Sequence, residues 1–216
     1  MTAAVCMTVA TVSPGAVHAE TTARDDIRTG VPLRLAVQRL AVTDEQREGY
    51  ERTKFKHWID ADKDGCNTRV EVLLEEAVEA PEITGRCTLD GGRWYSFYDD
   101  VHVDGPKGLD IDHMVPLAEA WDSGAYDWTP QRRQDYANDL GEPVALLAVT
   151  ARSNRSKSDQ DPTTWLPPYE GALCRYVGAW VSVKTRWSLT VDQAERDVLA
   201  AKAEGCPDEQ VAVEPA

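Results

Sequence analysis

"LDIDHMVP", residues 109–116, and "LLAVTARSNRSKSD", residues 146–159, decide the fold. In the first, Leu109 and Ile111 alternate with Asp110 and Asp112, which is the period of a strand, and His113 follows at once. The second opens as an apolar strand, "VALLAVTAR", and runs into a helix at "SNRSKSD", placing Asn154 and Lys157 one turn apart near its start. Two strands leading into a helix form a compact unit with polar residues at its open end. Two carboxylates and an imidazole at the head of an apolar run are costly to fold without partners or a chemical role.

The rest of the chain reads as mostly helical. A helical pattern spans Pro32 to Trp58, with Thr43 and Gln46 spaced as a capping box. "RVEVLLEEAVEA" predicts a second helix, stopped by Pro81. "CTLDGGRWYSFYDD" predicts a hairpin turning at Gly91-Gly92. Between the two decisive strands, "AEAWDSGAYDWTPQRRQDYANDL" predicts two short helices, the second capped by Thr129 with Pro130 at its first position. "ALCRYVGAWVSVKTRW" and a final stretch ending at Gly205 complete the helices. The fold class is therefore α+β: a small hairpin-plus-helix core embedded in a mostly helical single domain.

Paired strands would bring Asp112 towards Asn154. Two oxygen ligands with open positions suit a hard cation such as Mg²⁺. An imidazole that is neutral near pH 7 suits His113 to general-base work on water. Lys157, a turn beyond Asn154, is a candidate phosphate contact beside the helix N-terminus.

At "DIDHMVPL" and "NRSKSD" the chain resembles the HNH, or ββα-metal, endonuclease superfamily, including the HNH domain of RNA-guided effector nucleases. "HWIDADKDGCNTR", "GRWYSFYD" and "SKSDQDPTTWLPP" extend the resemblance, over roughly residues 45–206, to small secreted HNH nucleases of actinobacteria. The resemblance implies a ββα-metal core and hydrolysis of nucleic acid with a divalent metal, Mg²⁺ ahead of Mn²⁺; DNA is expected ahead of RNA as the substrate, a preference the residues leave open. It implies His113 as general base, Asp112 and Asn154 as metal ligands, Asp110 as a supporting acid, and Asn138 as a brace for the loop that bears the histidine. The last HNH position is Asn154 rather than histidine, which favours a hard cation over zinc.

A second motif, "DADKDGCNTRVE" at residues 60–71, matches a calcium-loop pattern, with Asp60, Asp62, Asp64 and Glu71 as its carboxylates. An acidic turn capping the next helix accounts for the same residues, so both readings stand. A non-catalytic extracellular calcium-binding protein on a nuclease-like scaffold is the rival for the chain as a whole.

The formal net charge is −14, a poor match to the basic footprint of most nucleic-acid binders. Its distribution is uneven: residues 151–190 carry six bases against three acids, and residues 191–216 seven acids against two bases. Residues 1–19 hold no Asp, Glu, Lys or Arg and end in Val17-His18-Ala19, as a secretory signal remnant does. Export would allow disulfides, and sequence proximity pairs Cys66 with Cys87 and Cys174 with Cys206. The expected organisation is a signal remnant over 1–19, a flexible lead-in over 20–34, the nuclease domain over 35–206 and a disordered acidic tail over 207–216. The expected product is secreted, monomeric and free of the membrane.

Overall fold

A computed structural model describes residues 27–216; the expected signal remnant and lead-in residues 20–26 lie outside them. In chain order the elements are β1 (Val31–Pro32), α1 (Leu33–Arg39), α2 (Thr68–Glu75), β2 (Glu82–Thr84), β3 (Thr88–Asp90), β4 (Arg93–Ser96) and β5 (Val101–Asp104). There follow β6 (Leu109–His113), α3 (Leu117–Asp122), α4 (Pro130–Ala137), β7 (Leu146–Thr150), α5 (Ala151–Lys157), α6 (Leu173–Trp187), α7 (Gln193–Ala203) and β8 (Gln210–Val211). The α+β class holds: helices surround small antiparallel strand pairs.

β6 and β7 pair antiparallel, with Asp112 opposite Leu147 and His113 opposite Leu146. Alternation then sorts the side chains. Leu109, Ile111, Leu146 and Ala148 pack into a small cluster with Trp94, Val72 and Leu73. Leu147 and Val149 face the main core, whose centre is Trp180, Tyr176, Tyr98 and Met114. Asp110 and Asp112 share the side of Leu147 and Val149 and meet α5, while His113 falls on the opposite side.

Both expected disulfides form, Cys66–Cys87 and Cys174–Cys206, across 21 and 32 residues. Closing loops of that length in the unfolded chain corresponds to about 3–4 kcal/mol each in the chain-entropy account.

Several expectations are corrected. The helical pattern of 32–58 yields α1 and one 3₁₀ turn at Arg52–Lys54; between them Thr43 N–H bonds the Val191 carbonyl and Gln46 N–H the Asp122 carbonyl, so tertiary pairing replaces the capping box. Gly91-Gly92 does not turn one hairpin but separates two, β2–β3 and β4–β5. A side chain at Gly92, whose φ is +79°, would lie 2.6 Å from the Trp94 ring. α5 begins at Ala151, where the Thr150 hydroxyl accepts from Ser153 N–H at 3.2 Å, so Asn154 lies inside the helix.

Among the described residues, the end of the expected lead-in pairs with the start of the expected tail. β1 pairs with β8, Val213 N–H bonds the Ile27 carbonyl, and Val211 and Val213 are buried. Two valines spaced by two residues give the acidic tail one apolar face, which is enough to dock it.

Candidate active site

A cleft of about 460 Å³ opens at the end of the β6–β7 hairpin, lined in part by Tyr50, Arg52, Asp112, His113, Asn154 and Arg155. His113 is 6% exposed, and its Nε2 lies 3.0 Å from the Ala137 carbonyl oxygen. A carbonyl only accepts, so Nε2 carries the proton and Nδ1 keeps its lone pair. Burial lowers the His113 pKa to about 3, with the Ala137 bond opposing and the charges of Arg52, His57 and Lys157 assisting. The ring is neutral at physiological pH.

Aromatic neighbours fix the imidazole. The Trp58 ring lies 5.5 Å from it and Tyr136 nearly parallel at 6.5 Å, centroid to centroid. Trp58 has φ of +58°, the left-handed region that costs a non-glycine residue about 1–3 kcal/mol. Asn138 holds that conformation. Its amide nitrogen donates to the carbonyls of Lys56, at 2.8 Å, and Gln134, at 2.7 Å. Its oxygen accepts from Ile59 N–H at 3.1 Å and from the Thr68 hydroxyl at 2.9 Å. Asn138 thus braces the segment that packs over His113, and the preceding residue, Ala137, supplies the carbonyl that sets the tautomer.

The acids fall into two rungs between β6 and α5. Asn154 donates to Asp110 Oδ2 at 3.3 Å, and Arg155 bonds the same oxygen at 3.2 Å. Lys157 Nζ reaches Asp112 Oδ1 and Oδ2 at 2.9 and 2.8 Å and the His113 carbonyl at 2.9 Å. The Tyr98 hydroxyl donates to Asp112 Oδ2 at 2.5 Å. Burial pushes the Asp112 carboxyl up and the Lys157 ammonium down, and their ion pair draws each back.

Two expectations are corrected by these bonds. Lys157 is fully buried, so its ammonium compensates Asp112 instead of meeting a phosphate. Asp112 is paired with Lys157, and it is Asp110 that meets Asn154. The i, i+2 step of the strand and the i, i+3 step of the helix match the rungs in that order.

A hard cation fits this set unevenly. The hydrogen bonds given above engage Asp110 through Oδ2 and Asn154 through its nitrogen, which leaves one oxygen on each for a metal. Asp112 contributes only what Lys157 and Tyr98 leave of its lone pairs. Sequence patterns could not single out Tyr98, Arg52 or Trp58, because their roles follow from tertiary placement.

The calcium-loop residues also converge. Asp60, Asp62 and Asp64 each offer an oxygen within 4.8 Å of the others. Their carboxylates also accept loop amides, from Gly65 at 3.2 Å, Asp64 at 3.2 Å and Cys66 at 2.7 Å, as the acidic-turn reading expects. Asn67 caps α2. Glu71 has a buried Oε2 without a hydrogen-bond partner, and its pKa is raised by burial and by Asp62, Asp64 and Asp60.

No helix among the described residues is long and apolar enough to cross a membrane. The chain is 41% identical over 160 residues, 74% of its own length and 77% of the relative's, to a protein of Arthroderma benhamiae named "Uncharacterized secreted protein". No solved structure matches it. Residues 51–202 match the family model of the C-terminal domain of GmrSD restriction endonucleases, a span that holds the hairpin, α5 and all of the cleft lining named above except Tyr50. The chain belongs to the family of GmrSD restriction endonuclease C-terminal domains.

Proposed function

We propose that the protein is a secreted, monomeric, metal-dependent endonuclease that hydrolyses DNA phosphodiester bonds with little sequence specificity, as the HNH resemblance implies. The observation that carries this reading is the His113 tautomer. With Nε2–H committed to Ala137, Nδ1 takes a proton from water as the oxygen attacks phosphorus, and the bond to the leaving oxygen breaks. Asp110 and Asn154, with Asp112 beside them, would hold the cation, Mg²⁺ or Mn²⁺. Such an ion, once bound, offsets charge on the phosphate and the leaving oxygen. Tyr98 and Lys157 keep Asp112 fixed, and Asn138 and Trp58 keep the imidazole in place. The name of the similar secreted protein and the two disulfides support export.

The test is incubation of purified protein with plasmid DNA under chelator, Mg²⁺, Mn²⁺ and Ca²⁺, with His113→Ala alongside. Metal-dependent cutting that falls by roughly 10²–10⁴-fold in the variant is expected. Equal cutting by the variant refutes the assignment.

The acidic loop favours a second, compatible reading, a structural Ca²⁺ on Asp60, Asp62, Asp64 and Glu71. It is supported by the convergence of the carboxylates and the unpartnered Glu71 oxygen. Calcium-only binding with no hydrolysis under any metal would instead favour a non-catalytic calcium-binding protein.

A further inference from the structure

The charges around the cleft are nearly all spoken for. Arg155 is paired with Asp110 at 3.2 Å, Lys157 with Asp112 at 2.8 Å, and Arg47 with Asp122 at 2.5 Å and Asp159 at 3.2 Å. Arg52 is different. It lines the same cleft as His113 and Asn154, it is exposed, and among the described residues no carboxylate lies within ion-pairing distance of it.

Its position is also firm. Arg52 opens a 3₁₀ turn, Arg52–Lys54, held by Lys54 N–H on the Glu51 carbonyl and Phe55 N–H on the Arg52 carbonyl. Phe55, 1% exposed, anchors one end of the turn against Trp121 and Tyr136. At the other end Tyr50 packs on Phe55 and Trp121, and Lys54 Nζ bonds the Gly49 carbonyl at 2.6 Å. A guanidinium on a pinned backbone loses less freedom when it binds than one on a loose loop.

We propose that Arg52 binds a phosphodiester of the nucleic-acid substrate across the cleft from Asn154, holding it against His113. The proposal rests on the nuclease reading and adds a contact from outside the hairpin-plus-helix unit. The fork of a guanidinium matches two phosphate oxygens, which a lysine ammonium meets only as a point charge. It also explains how an acidic chain recruits a polyanion: among the described residues the cleft-lining acids Asp112 and Asp159 are paired internally, whereas Arg52 meets the neutral Tyr50 side chain and keeps its charge for the ligand.

The test combines cutting by the wild type with binding by inactive protein. Cleavage of plasmid DNA is measured with Mg²⁺ and Mn²⁺. Binding of a fluorescein-labelled DNA duplex to His113→Ala, His113→Ala/Arg52→Gln and His113→Ala/Arg52→Lys is followed by anisotropy across a salt series. We expect roughly tenfold weaker binding with glutamine, a salt slope reduced by about 1, and partial recovery with lysine. Matching melting curves show that the variants are folded. Wild-type cutting with binding and slope unchanged by Arg52→Gln overturns the Arg52 assignment and leaves the nuclease reading intact. Arg52-dependent binding without cutting by the wild type supports the contact and overturns the nuclease reading. Neither cutting nor binding overturns both.

Discussion

Replacing Lys157 with methionine separates the two roles that this residue could have. The ammonium is fully buried and makes three bonds, to both Asp112 oxygens and to the His113 carbonyl, all between 2.8 and 2.9 Å. Methionine keeps most of the volume and removes the charge, leaving Asp112 with the Tyr98 hydroxyl alone. Stranding one member of a buried ion pair costs about 3–5 kcal/mol. For a chain of this size that lowers the melting temperature by roughly 6–20 °C. The sign with pH follows from burial, which holds the Asp112 pKa above its unfolded value of 3.8 and acts with less opposition once Lys157 is gone. The deficit is smallest below that value, where the carboxyl is protonated in both states, and grows as the pH rises through the folded pKa. Urea melts of wild type, Lys157→Met and Lys157→Met/Asp112→Asn across pH measure it, and the double variant recovers most of the loss at neutral pH. A single variant that loses less than about 1 kcal/mol at neutral pH, the range of an exposed ion pair, refutes the buried compensation.

Burial raises Glu76 to about 7, with its bond to Ala148 N–H opposing, so this part of the stability is intact below the unfolded pKa of 4.5 and is lost as the pH rises through about 7. Glu76→Gln flattens that dependence and raises stability at pH 8 by up to about 3 kcal/mol, read from melting curves at both ends of the range. Asn138→Ala removes four hydrogen bonds, two of them to Lys56 and Ile59 on either side of Trp58, and lowers stability by roughly 1–3 kcal/mol. It also lowers cutting more than it weakens DNA binding, a split that steady-state kinetics with anisotropy resolves. Calorimetric titration gives one Ca²⁺ site that Asp62→Asn weakens; no heat of binding from the wild type rejects the calcium reading of the loop.

The hairpin and its helix were legible because their signals are local. Alternation in "LDIDH" sets which side chains share a face, and the apolar run before Asn154 is too short for anything but a strand ahead of a helix. The cysteine pairs also came from spacing alone. The misreadings share a cause. Residues 41–58 carry helical periodicity, but the Thr43 and Gln46 amides are claimed by Val191 and Asp122 from distant segments. Lys157 reads as a solvent-facing cation on a polar helix, and only the packing of α5 on β6 turns it inward to Asp112. Tyr98 lies 14 residues before Asp112, and no pattern links an aromatic hydroxyl to a carboxylate at that distance. Arg52 is equally silent in sequence, because its meaning lies in which carboxylates the other cleft cations have already taken.

Chemical rescue asks whether His113 Nδ1 is the base. Metal-dependent cleavage of plasmid DNA is timed for wild type and His113→Gly, with and without added imidazole. The account predicts a loss of roughly 10²–10⁴-fold in the variant and a rate that climbs with imidazole concentration. Undiminished cutting by His113→Gly without imidazole would contradict it.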